Sequence, residues 1–144
     1  MALDAGPLSI GDNREQVLVD GLSRTQIVMY AGASGDYNPL HTDEVFATKV
    51  GGYPSVFAHG MLTMGMTARV LTDWVGVGRL LSYGARLLKP VWPGDTLVAR
   101  AEVTGMGTEA GRRTADFAVV TRNQHGETVL AGTARALVEL APGG

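Results

Sequence analysis

The 144-residue sequence has no cysteine, which removes disulfides, a thiolate nucleophile and every cysteine-bearing zinc site, and fits a reducing compartment. It also lacks charge of one sign. Twelve Lys+Arg stand against 14 Asp+Glu, a formal net charge of −2, so there is no broad basic field to hold nucleic acid or anionic lipid. No long apolar run is present. The most hydrophobic stretch, 57–78, carries His59, Arg69, Asp73 and four glycines, unlike the roughly 20 unbroken apolar residues of a membrane span. Residues 1–7 have no basic segment leading into an apolar one, so no secretory signal is expected and the location is read as cytoplasmic. Phosphate loops, a Gly-x-Gly-x-x-Gly between strand and helix, and a Gly-x-Ser-x-Gly elbow are all missing, so no cofactor is expected.

With 45% apolar and 18% charged residues, the chain can build its own core, and its length suits one domain over residues 1–144. Val17-Leu18-Val19 marks a possible first strand. Ser23 or Thr25 can cap a helix carrying Ile27, Val28 and Ala31, with Gly32 and Gly35 to end it. Thr42 can cap a short helix, Asp43 to Thr48. From Gly60 to Val75, Met61, Met64, Ala68, Leu71 and Val75 form one stripe, while Leu62, Met66, Val70 and Trp74 cover much of the remaining surface, so this helix should be wrapped. Met61, Met64 and Met66 read as core residues at helical spacing. Alternation at 97–104 and 115–120, then Thr128 to Glu139, predicts antiparallel strands, with turns at 93–95, 105–111 and 123–126. The expected architecture is α+β, an antiparallel sheet around one long helix.

The densest polar cluster in an apolar setting is Ser34-Gly35-Asp36-Tyr37-Asn38-Pro39-Leu40-His41. Asn38-Pro39 predicts a bend, since the proline ring disfavours helical geometry at Asn38. Asp36 and His41 then flank that bend, and such a pair can hold one water from two sides. The residues alone also allow a plain structural turn. Gly60 at the start of the long helix would let a ligand oxygen approach free backbone N–H groups, or would only provide a tight turn into the helix. His59 reads as a packed or capping residue. His125 falls in a turn, and His41, His59 and His125 lack metal-ligand spacing, so no metal is expected.

The segment 30–41 resembles the hydratase-2 signature of MaoC-like (R)-specific enoyl-CoA hydratases and dehydratases, whose core is Gly-Asp-x-Asn-Pro-aliphatic-His. Phe57-Ala58-His59-Gly60-Met61-Leu62 resembles that family's approach to its central helix, and 89–97 its Pro-Val-x-Pro-Gly-Asp turn. The string 59–65 is similar to catalytic subunits of mycobacterial (3R)-hydroxyacyl-ACP dehydratases, with Gly65 where some members carry a pocket serine. The resemblance implies a hotdog fold and (R)-specific hydration of trans-2-enoyl thioesters, or the reverse dehydration, on CoA or acyl carrier protein. It assigns Asp36 and His41 as the catalytic pair, Gly60 as the donor to the thioester carbonyl, and Asn38 as support for the bend. It also implies a homodimer or a heterodimer with a second hotdog subunit. Arg86, Lys89, Arg112 and Arg113 are candidates for contacting pantetheine or nucleotide phosphates, against the plainer reading of solvated strand charges. A non-catalytic acyl-binding subunit and a hotdog thioesterase are the alternatives; members of the former type lack the Asp/His pair.

Overall fold

Small apolar residues on alternate positions of three long strands decide the architecture, because they leave room for a helix to lie close against the sheet. The computed structural model describes residues 7–138, so the readings of the first six residues and of Glu139 lie outside them. In chain order the elements are β1 (Asn13–Val19), α1 (Arg24–Ser34), a π-helical turn (Phe46–Val50), α2 (Gly60–Val75), β2 (Leu80–Leu87), β3 (Leu97–Glu109), β4 (Arg112–Arg122) and β5 (Thr128–Leu137). The five strands form one antiparallel sheet in the order β1-β3-β4-β5-β2. Helix α2 packs against all five strands. This is the expected hotdog arrangement.

The inner face of the sheet is Ala99, Ala101 and Val103 of β3, Ala115, Phe117 and Val119 of β4, and Ala134 and Ala136 of β5, all buried. Against it lie Leu62, Met66, Val70, Leu71 and Val75 of α2. Phe117 fills the one wide gap and meets the Trp74 ring edge-on at 5.5 Å. Each fully buried Leu or Val contributes about 1.5–3 kcal/mol. The helix is not wrapped all round, however. Met66 is core and Met64 packs partly against it, but Met61 is 60% exposed, so the reading of all three as core fails for Met61.

Several boundaries differ from expectation for local reasons. Helix α1 runs through Gly32 and stops at Gly35, whose left-handed φ of 75° lets its N–H reach the Ala31 carbonyl; Ser23 is the cap, accepting from Gln26 N. Asp43 rather than Thr42 caps the following turn, its Oδ1 accepting from Phe46 N at 3.0 Å, and that turn continues to Val50. Strand β1 begins four residues before Val17, in a polar stretch that pairs with β3. Strand β2 was not expected at all. Strand β3 continues through Gly105 to Glu109, and only Ala110 and Gly111, with φ of 50° and 76°, make the reversal; two consecutive positive φ values suit a primed hairpin turn.

Asp95 ties the turn before β3 to its neighbours. It is 5% exposed, and its carboxylate accepts from Trp92 N and from Gln124 Nε2, each at 2.9 Å. Its backbone carbonyl accepts from Leu22 N. Replacing Asp95 by Ala removes the acceptor of two partly buried hydrogen bonds, and a hydrogen bond to a charged group contributes about 1.5–3 kcal/mol. Asp95→Ala should therefore lower unfolding free energy by about 2–4 kcal/mol, read from the urea midpoint at unchanged slope.

Candidate functional site

Three consecutive side chain to backbone brackets shape the chain after α1. Ser34 Oγ accepts from Asp36 N at 3.2 Å, Asp36 Oδ1 from Asn38 N at 3.2 Å, and Asn38 Oδ1 from Leu40 N at 3.0 Å. Short polar side chains that bond two residues onward stabilise such turns. The His41 N–H closes the bend on the Asn38 carbonyl at 3.0 Å. Asn38 therefore holds the bend through both its side chain and its backbone.

The bend brings Asp36 and His41 together. His41 Nε2 lies 3.9 Å from Asp36 Oδ2, the imidazole nearly buried and the carboxylate half exposed. His41 Nδ1 is 2.7 Å from the Phe57 carbonyl. A carbonyl oxygen only accepts, so Nδ1 carries the proton and Nε2 presents a bare lone pair toward Asp36. The 3.9 Å gap is too long for a direct hydrogen bond and admits a bridging water.

His59 stands behind this pair as a packed residue, with no capping bond from its side chain. Its ring stacks on His41, centroids 3.8 Å apart and planes 25° apart, and Tyr30 of α1 meets its edge at 4.8 Å. Its Nε2 lies 3.0 Å from the Asp36 carbonyl. His125 sits in the β4–β5 turn as expected, with its backbone N–H on Asn123 Oδ1, whereas the fold brings together His41 and His59, whose spacing gave no metal-ligand pattern. Asp36, His41 and His59 each offer a ligand atom, all within 4.8 Å of one another. His41 Nδ1 and His59 Nε2 face backbone carbonyls, so the atoms this group leaves open are His41 Nε2, His59 Nδ1 and the Asp36 carboxylate.

Gly60 opens α2. Leu62 N and Thr63 N both reach back to the His59 carbonyl, and the first N–H groups of a helix have no partner inside it. A Cβ on Gly60 would fall 2.1 Å from Leu87 Cδ1, the end of an exposed β2 side chain that would have to swing aside. A cavity of about 270 Å³ opens here, lined by Gly60, Thr63, Phe57, Leu87, Lys89 and Val129 among others. Asp36 and His41 do not line it; Phe57 joins the two, lining the cavity and holding His41 through its carbonyl. Gly65, one turn further along α2, has no atom within 4 Å of where a Cβ would stand.

The four candidate phosphate contacts are separated by the fold. Lys89 lines the cavity and pairs with Glu127 at 2.7 Å; hydrogen bonds from Lys89 and then Asn123 hold the Glu127 carboxyl below the usual carboxylate range. Arg86 is exposed on β2. Arg112 and Arg113 begin β4, at the opposite end of the 13-residue β3, roughly 40 Å along the strand direction. They do not share a mouth with Lys89 within one chain. Phe57, Leu87 and the stacking of His59 on His41 were missed by sequence reasoning; the Phe57–Leu62 motif was the only signal, and it directed attention to Gly60 alone.

A charged clamp holds α1, the turn at 43–50 and the approach to α2 together. Glu44 Oε2 accepts from Arg24 of α1 and from Val56 N, and Arg24 also reaches Ser55 Oγ at 3.3 Å. The hydrogen bond from Arg24 is the largest cause that lowers the Glu44 pKa from 4.5. A carboxyl depressed in the folded state adds stability above its unfolded pKa and loses it as pH falls through its folded value. The melting-temperature gap between wild type and Glu44→Gln should therefore be fully present at pH 7, shrink as pH drops below 4.5, and vanish once Glu44 is protonated in both states.

The fold and site have relatives among known proteins. A family model described as "MaoC like domain" matches residues 7–138. The chain is 36% identical over 115 residues to 3-hydroxyacyl-thioester dehydratase Y of Mycobacterium tuberculosis, an alignment covering 69% of this chain and 40% of that protein. It is 35% identical over 103 residues to the (R)-specific enoyl-CoA hydratase of Rhodospirillum rubrum, covering 69% and 70%. Other curated relatives are longer, the chain spanning 30% and 11% of two of them. The structure of an (R)-hydratase from A. caviae involved in PHA biosynthesis superposes with a TM-score of 0.80 at 25% identity, over 92% of this chain and 98% of that one. Among the described residues no helix is long and apolar enough to cross a membrane. By its match over residues 7–138, and by a relative of which it covers 70%, the chain belongs to the MaoC-like domain family.

Proposed function

We infer that the chain adds water to trans-2-enoyl thioesters, giving (3R)-hydroxyacyl thioesters, and catalyses dehydration along the same path reversed. The observation that carries this is the bare Nε2 of His41, facing the Asp36 carboxylate across 3.9 Å with its other nitrogen spent on Phe57. A water bonded at about 2.8 Å to both groups fits this gap with an angle near 90°. Gly60 N–H and the α2 dipole act on the thioester carbonyl, drawing electrons from C3 and stabilising the enolate oxygen that forms. The water oxygen bonds to C3 as the C2=C3 electron pair shifts toward the carbonyl. One water proton passes through the Asp36–His41 pair to C2 on the same face, which restores the carbonyl. Asn38 keeps the pair in register through its bonds to Leu40 N and His41 N. The apolar walls of the cavity beside Gly60 suit part of the acyl thioester, carried on CoA or acyl carrier protein, and no cofactor enters these steps.

Asp36→Asn and His41→Ala should each lower turnover by about 10²-fold or more, the usual size of an acid–base contribution, while leaving the fold intact, His41→Ala at some cost in stability because it removes the bond to the Phe57 carbonyl. The assay follows loss of the conjugated enoyl-thioester absorbance with chiral analysis of the product. Wild-type rates in either variant remove that residue from the mechanism. Release of free thiol instead of the alcohol identifies a thioesterase, and activity only after adding a second hotdog chain identifies half of a heterodimer.

The chain is further inferred to work as a dimer, identical or mixed. Strand β2 is an edge with exposed Leu81 and Leu87, and Met61 leaves one side of α2 bare. An open edge with apolar side chains favours pairing with another strand. Light scattering at micromolar concentration should give twice the 15.1 kDa chain mass; a monomer that is fully active rules the dimer out.

A further inference from the structure

Behind the Asp36–His41 pair lies a buried polar atom with no partner, His59 Nδ1. The opposite nitrogen, Nε2, faces the Asp36 carbonyl at 3.0 Å and must carry the proton, because the carbonyl can only accept. Nδ1 is then an unprotonated acceptor. A second proton there would create a buried N–H with nothing to receive it. Tyr30 from α1 presents a ring edge to His59, and Phe57 presents one to His41 at 5.1 Å; the Asp36 carboxylate faces His41 from the bend. The His59 contacts place the proton of the uncharged ring on Nε2 and leave Nδ1 bare.

We propose that His59 is a positioning residue: its Nε2–H pins the backbone of Asp36 and its neutral ring face holds His41 in plane, so that it sets the geometry of the pair without touching substrate. The two contacts act on different partners, and only one of them needs a ring. A flat neutral face also favours the positive charge that His41 takes up while the water proton passes through it, as rings attract cations over their faces. This proposal rests on the hydration chemistry inferred above.

The test separates the two contacts. His59→Gln keeps an N–H donor for the Asp36 carbonyl and removes the ring face; His59→Phe keeps the face and removes the donor. Each should fold with a wild-type circular dichroism spectrum, keep KM for a trans-2-enoyl-CoA within about twofold, and lose about tenfold or more in kcat, the scale expected when a reacting group is slightly misplaced. In a His41→Ala background, His59→Gln should cost almost nothing further, because a residue acting through His41 has no route left. Unchanged kcat in both variants, a loss confined to KM, or an undiminished further loss in the His41→Ala background overturns the proposal. Should the variants not fold, 15N shifts of the wild-type imidazoles decide: a bare Nδ1 and protonated Nε2 on His59 support it, and a protonated Nδ1 overturns it. If the wild-type chain turns over no enoyl thioester, the hydration reading falls, while the 15N shifts still test the state of His59 on their own.

Discussion

The hydrogen bond from His41 Nδ1 to the Phe57 carbonyl, 2.7 Å long, spans sixteen residues of sequence and joins the bend after α1 to the approach to α2. It fixes the rotation of the imidazole and its tautomer in one contact, since the acceptor has no proton to offer. Three residues beyond Phe57 stands Gly60, the first residue of α2. The base and the helix N-terminus are thus held to one another through a few backbone bonds. Phe57 N in turn donates to the Leu40 carbonyl, and Ala58 N to that of Val91, so the approach segment is pinned on both sides. Glu44 and Arg24 add a charged bracket at Val56 and Ser55, on the surface, where such pairs contribute little energy and mainly fix geometry.

The sheet provides the other half of the constraint. Alanines at 99, 101, 115, 134 and 136 bury almost completely and keep the inner face shallow, so α2 can lie close to the strands with its N-terminus near β2. There the packing is at its limit: a Cβ on Gly132 would fall 2.2 Å from the Gly84 carbonyl, as one on Gly60 would clash with Leu87. Gly132 thus sets how near β2 comes to β5, while at Gly60 the neighbour is the movable end of the Leu87 side chain. Strand β2 is an edge with little side-chain burial, its pattern almost wholly exposed or half exposed, and it presents a row of backbone groups open to pairing. The close approach that places the helix start beside a cavity also leaves the molecule open along that side.

What the residues revealed in advance follows how local the determinants were. Helix α2 was legible from its sixteen-residue apolar pattern, and the Asp36–His41 bend from Asn38-Pro39 and a motif within twelve residues. Strand β2 was overlooked although Leu81, Tyr83, Ala85 and Leu87 alternate with Ser82, Gly84 and Arg86; Gly84 and the short span between the glycine turn at 76–78 and Pro90 masked a period-2 signal that was present. Gly105 and Gly107 looked like a turn but continue β3, where Asp116 and Thr114 pack over them. Asp43 took the cap from Thr42 because the bend places its carboxylate, one residue later, over Phe46 N. The stacking of His59 on His41 depends on the seventeen intervening residues folding back, and no local pattern encodes that.

An N–H donor at a helix start polarises a thioester carbonyl equally well for hydrolysis at C1 and for hydration at C3; the two reactions differ in where the water is held. C1 carries the bound oxygen itself, whereas C3 lies two bonds beyond it. A water gripped by the residue next to Gly60 would stand over C1. Here the gripping groups belong to a different segment, the bend at 36–41, and the part of the helix approach nearest to Gly60 is occupied by His59, whose Nε2 is turned away from substrate onto the Asp36 carbonyl. The stacked ring adjoins Gly60 in sequence and lies 3.8 Å from His41, so on the proposed reading the water is held by a segment other than the one that would polarise the carbonyl, as addition at C3 asks.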